Sequence, residues 1–137
     1  MRYALIAALA LCAVAAQALP QATAKRKIPC KTPEGAASCY WTRGRLAIYD
    51  GNPSWRLWKV GTKRMLGIHN GPHPTDPLDS EHPEFPTNLT SVVATMGDGD
   101  RIFADFEVCP LKPEHPGWMQ PSCIESAKNI FLDRFRP

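Results

Sequence analysis

Beyond its first 19 residues the chain has no apolar run near the roughly 20 residues that a membrane-crossing helix requires. It also lacks a nucleophile elbow, a His-Glu zinc helix signature and a phosphate-cradling glycine loop, so the common catalytic signatures are absent. No two cysteines stand at the close spacing of metal knuckles, which speaks against structural zinc. Cations are in slight excess, 16 Lys and Arg against 13 Asp and Glu, and so weak a balance argues against nucleic acid as a partner. No motif implies a cofactor.

What the chain does contain begins with an export signal. Arg2 precedes an apolar run over residues 4–16, and small residues follow at Ala16, Ala18, Ala22 and Ala24, the pattern of a secretory signal peptide. The expectation is a signal over residues 1–18, cleaved after Ala18 or alternatively after Ala24, then a flexible basic segment over residues 19–29. A single domain over residues 30–137 follows, secreted or periplasmic. Cys30, Cys39, Cys109 and Cys123 survive processing, an even number in an exported chain, and predict two disulfides. Of the three connectivities the local one, Cys30 with Cys39 and Cys109 with Cys123, is preferred because each pair brackets a Pro- or Gly-containing loop.

Fourteen prolines divide the chain, and because proline cannot donate to a ladder, the regular elements are expected in the windows 34–52, 54–71, 87–109 and 122–136. Residues 45–49 alternate, Leu46 and Ile48 against Ala47 and Tyr49, as a strand does. Asp50-Gly51-Asn52-Pro53 then turns the chain. Residues 54–68 are too many for one straight strand, and Gly61 predicts a bulge or bend there. Residues 70–86 read as a long proline-rich surface loop. A second hairpin is expected from residues 91–96 and 101–108 around Gly97-Asp98-Gly99-Asp100, with Ile102, Ala104, Phe106 and Val108 on its apolar face. Residues 124–132 fit both a helix and a strand, and the strand is preferred. The fold class is therefore all-β, a small antiparallel barrel or sandwich stabilised by two disulfides.

Candidate site residues fall into three groups. Arg43, Arg45, Tyr49, Trp55, Arg56, Trp58, Lys59 and Arg64 have the composition of a sheet face that stacks sugars or bases. Strand parity puts Trp55 and Trp58 on opposite faces, so at least one of them is expected in the core. His69, His73 and His82, with Asp76, Asp79 or Glu81, contain metal-ligand chemistry but no recognised spacing. Asp105 and Glu107 share a strand face and are the candidate acid–base pair, although a solvated face needs such residues anyway.

Charge is segregated along the chain. Residues 25–64 hold ten basic and two acidic side chains, residues 65–100 six acidic and no basic ones. Either the two blocks neutralise one another or the hairpin offers a positive surface to an anionic partner.

The stretches GRLAIYDGNPSWRLWKVGTKRMLGI and FADFEVCPLKPEHPGWMQPSCIESAKNI resemble small exported bacterial proteins with no assigned activity. The resemblance implies a bacterial periplasmic or secreted setting and brings no catalytic or binding residues across. The function expected is an extracytoplasmic binding or structural module for an anionic or carbohydrate ligand. A small secreted hydrolase of an anionic or sugar polymer and a metal-binding periplasmic protein are the alternatives.

Overall fold

The computed structural model describes residues 30–72 and 81–137. The expected signal peptide, the basic segment and the middle of the proline-rich loop, with His73, Asp76 and Asp79, lie outside the described residues. Five strands, β1 (Tyr40–Ile48), β2 (Trp55–Lys59), β3 (Met65–Ile68), β4 (Arg101–Pro110) and β5 (Gln120–Asp133), close into a barrel in the order β1-β2-β3-β5-β4. Helix α1 (Thr87–Val93) lies between β3 and β4. Every neighbouring pair is antiparallel except β3 with β5, which is parallel. This order, with one helix after the third strand, is the topology of an OB-type Greek-key barrel.

The first strand is shared between two neighbours. Its residues 44–48 pair with β2 on one edge and residues 40–47 with β4 on the other, so the two ladders overlap from Gly44 onward. Gly44 sits at that point: a Cβ there would stand 2.5 Å from Leu57 Cδ1 and 3.0 Å from Phe106 Cδ2. The missing side chain lets two core residues close beneath the strand. Inside, the alternation of each strand delivers Leu46, Leu57, Leu66, Ile68, Ile102, Ala104, Phe106, Val108 and Ile124, all buried. Helix α1 adds Leu89 to this core, and Phe85 meets the Trp55 ring edge-on with centroids 4.9 Å apart.

Several expectations are corrected. The disulfides are Cys30–Cys123 and Cys39–Cys109, not the local pairs. Cys109 and Cys123 are cross-strand neighbours on β4 and β5, yet each bonds the N-terminal segment, because the β1–β4 register carries Cys39 to Cys109. Residues 91–96 form no strand. Leu89, Val92, Val93 and Met96 follow helical spacing and face the core, and this packing overrides the β-branched character of the two valines. Gly61, at φ +80°, belongs to the turn between β2 and β3 rather than to a bulge within one long strand. Pro110 and Pro121 lie at strand ends, so the elements outrun the proline-free windows. Residues 120–133 form one strand, as the pattern of residues 124–132 led one to expect.

Candidate functional site

The outer surface of the barrel divides into two parts of different electrostatic character. On β4 and β5 the charged groups are matched. The Arg43 guanidinium approaches Asp105 at 3.5 Å and donates to the Asn129 carbonyl at 3.2 Å, while Asn129 Nδ2 donates to Asp105 Oδ2 at 2.6 Å. Asn129 is turned into that position by a left-handed φ of 53° near a register shift between β4 and β5. The Asn129 amide and then the Arg43 charge hold the Asp105 carboxyl below the usual carboxylate range. Glu107 accepts a hydrogen bond from Lys31 Nζ at 2.6 Å. The two candidate acid–base carboxylates thus serve separate ion pairs.

The exterior of β1 and β2 is built differently. Arg45 stacks on Trp58, its guanidinium carbon 4.9 Å from the ring centroid, and donates to the Tyr49 hydroxyl at 3.1 Å. Arg56 lies over the Tyr49 ring at 5.2 Å and donates to the carbonyls of Pro53 and Asp50, both at 2.9 Å. The result is a ladder Trp58–Arg45–Tyr49–Arg56 in which rings and carbonyls hold both guanidinium groups. Neither arginine forms an ion pair among the described residues, and Arg45 Nε is buried without a hydrogen-bond partner.

Beside Arg45 the surface is indented. Ala47 stands between Arg56 on β2 and Arg101 on β4 in the cross-strand register, and its small side chain leaves a pocket of about 240 Å³. Arg45, Tyr49, Asp100 and Arg101 line this pocket. The Asp100 carboxylate is already occupied: its oxygens accept from the Gly97 and Phe135 amides at 2.9 Å and from Arg134 at 2.8 Å. Those amides, and after them Arg134, hold its carboxyl below the usual range. Asp133 opposes Arg101 across the β4–β5 ladder.

The remaining candidates lie elsewhere. Trp55 is buried in the core and leaves the surface set. Lys59 sits 4.6 Å above the Tyr40 ring, and Arg64 pairs with Glu114 of the β4–β5 loop. The His69 amide donates to the Ser122 carbonyl, and His82 is exposed. No cluster of three or more metal-ligand side chains occurs among the described residues. Arg101 and Ala47 were missed by sequence reasoning, since neither stands out without the β1–β4 register. No family model, curated protein or solved structure matches the chain.

Proposed function

We propose that this domain is an extracytoplasmic binding module for an anionic ligand, taken up on the outer face of β1, β2 and β4. The observation that carries the reading is the convergence of Arg45 and Arg101, neither in an ion pair among the described residues, on one pocket floored by Ala47. A guanidinium with no carboxylate counterion, held in place by an aromatic ring, is organised to accept a carboxylate, sulfate or phosphate group. Barrels of this topology take elongated ligands across their second and third strands, although topology alone names no ligand. Two disulfides fit an oxidising compartment, in keeping with the export signal. Among the described residues no helix is long and apolar enough to cross a membrane.

Titration of the oxidised protein with a polyuronate, followed by calorimetry, tests the reading. Binding that weakens with salt is expected, with Arg45→Ala and Arg101→Ala each losing about tenfold or more, since a hydrogen bond to a charged group is worth about 1.5–3 kcal/mol. Wild-type affinity in both variants, or no binding of polyuronate, sulfate or phosphate, would refute it.

A further inference from the structure

A second cleft lies where the β2–β3 turn faces the β4–β5 loop. It measures about 260 Å³ and is lined by Lys63, Arg64, Met65, Glu114, His115 and Trp118, among others. The Arg64–Glu114 ion pair ties its two walls together. Trp118 is the most exposed large apolar side chain described, at 79% of its full accessibility, and its ring lies 6.4 Å from that of His115. An indole this exposed contributes little to the fold. With Arg64 and Glu114 cancelling, Lys63 leaves the cleft with one net positive charge.

A row of cross-strand partners runs from one indentation to the other. Met65, which lines the cleft, is the cross-strand partner of Trp58, and Trp58 is the partner of Arg45, which lines the arginine pocket. Trp58 is further pinned by donation from its indole nitrogen to the Thr62 carbonyl at 2.7 Å. Adjacent strands lie about 4.8 Å apart, so the Met65–Trp58–Arg45 row covers about 10 Å before either indentation is added. Along this track cations alternate with apolar surface: Lys63 and Trp118, then Met65 and Trp58, then Arg45 and Arg101.

From this continuity we infer that the ligand is a linear acidic polysaccharide, bound with one acidic sugar in the arginine pocket and a later unit stacked on Trp118 beside Lys63. The inference rests on the anion-binding reading above and extends it to chain length and class. A sugar ring offers an apolar face to indole and its carboxylate to a cation, which is the alternation the track presents. Single-stranded nucleic acid needs successive free rings for its bases, whereas the face of Trp58 is covered by Arg45.

The test is a calorimetric series with di-, tetra- and hexauronates and oligothymidylate against the wild-type protein, Trp118→Ala and Lys63→Ala. Affinity is expected to rise at least tenfold from dimer to hexamer in the wild type. Trp118→Ala should abolish most of that rise while leaving the dimer unchanged, and Lys63→Ala should reduce it by a few-fold. A hexamer that binds no tighter than the dimer, or a Trp118→Ala protein that keeps the full rise, overturns the extended track but leaves the arginine pocket standing. Oligothymidylate binding tighter than hexauronate overturns the assignment to polysaccharide. Failure of every uronate to bind removes the underlying reading as well. Because Trp118 is so exposed, its replacement does not disturb the core, and unchanged thermal unfolding verifies this.

Discussion

The side of the barrel around the Asp105 and Glu107 carboxylates and the side around the Arg45–Arg56 ladder use their cations in opposite ways. On the β4–β5 side, Arg43 of β1 and Lys31 of the N-terminal segment each meet a carboxylate of β4, and Lys128 of β5 lies 4.2 Å from the Trp41 ring centroid. On β1–β2, Arg45 and Arg56 are fixed by rings and carbonyls, which orient a guanidinium without neutralising it. Salt bridges on an exposed face contribute little to stability. Their consequence here is to cancel the field of one side of the barrel, leaving the other side positive.

The strongest way to break this comparison is to release the fastening of the matched side. Replacing Cys39 and Cys109 together by serine is expected to cost about 2–5 kcal/mol in chemical denaturation, because the bond closes a long loop. Ligand affinity of the protein that remains folded should be retained, since neither cysteine touches the arginine pocket. A smaller effect sharpens the contrast directly. Arg45→Ala should lose about tenfold in polyuronate affinity, about 1.4 kcal/mol, while Arg43→Ala stays within about twofold of wild type.

Acid offers a third probe. Asp100 and Asp105 both have folded-state values below their unfolded ones. Their stabilising contribution is therefore complete above the ordinary aspartate value of about 3.9 and is lost as pH falls through the depressed folded values. Stability measured by denaturant titration should decline below about pH 4, with a shallower decline in Asp100→Asn. Lys31 runs the other way, since the Glu107 hydrogen bond and charge raise it, and its contribution is lost as pH rises through its folded value. The smallest expected effect is the most diagnostic for charge. Asp105→Asn should leave Arg43 without its carboxylate and raise anion affinity on the matched side slightly, by less than about threefold on the scale of surface ion pairs. A decrease would mean that Asp105 serves the ligand directly.

Much of the barrel was legible because strand periodicity is local. Leu46, Ile102, Ala104, Phe106 and Val108 announce their inward faces by alternation, and parity alone separates Trp55 from Trp58. The ladder residues Arg45, Tyr49, Arg56 and Trp58 were legible as a basic aromatic cluster for the same reason. What escaped was everything set by pairing at long range. Arg101 gains its meaning only from lying opposite Ala47, 54 positions earlier by the register of β1 against β4. Trp118 stands in a proline-rich loop whose neighbour, the β2–β3 turn, is chosen by barrel closure. Helix α1 was hidden by Val92 and Val93, whose strand preference yields to the burial of Leu89.

The nested, long-range disulfides bear on how the protein matures. Cys30 and Cys39 emerge from synthesis well before Cys123 and Cys109, to which they are joined across 93 and 70 residues of sequence. Oxidation in that interval would join Cys30 to Cys39, or either of them to Cys12 while the first residues are attached, and none of these bonds is native. Reaching the native pairing then requires thiol–disulfide exchange once β4 and β5 have arrived. In an oxidising compartment this long-range pairing is expected to form faster with a disulfide isomerase than without one, which refolding of the reduced protein in the two conditions checks.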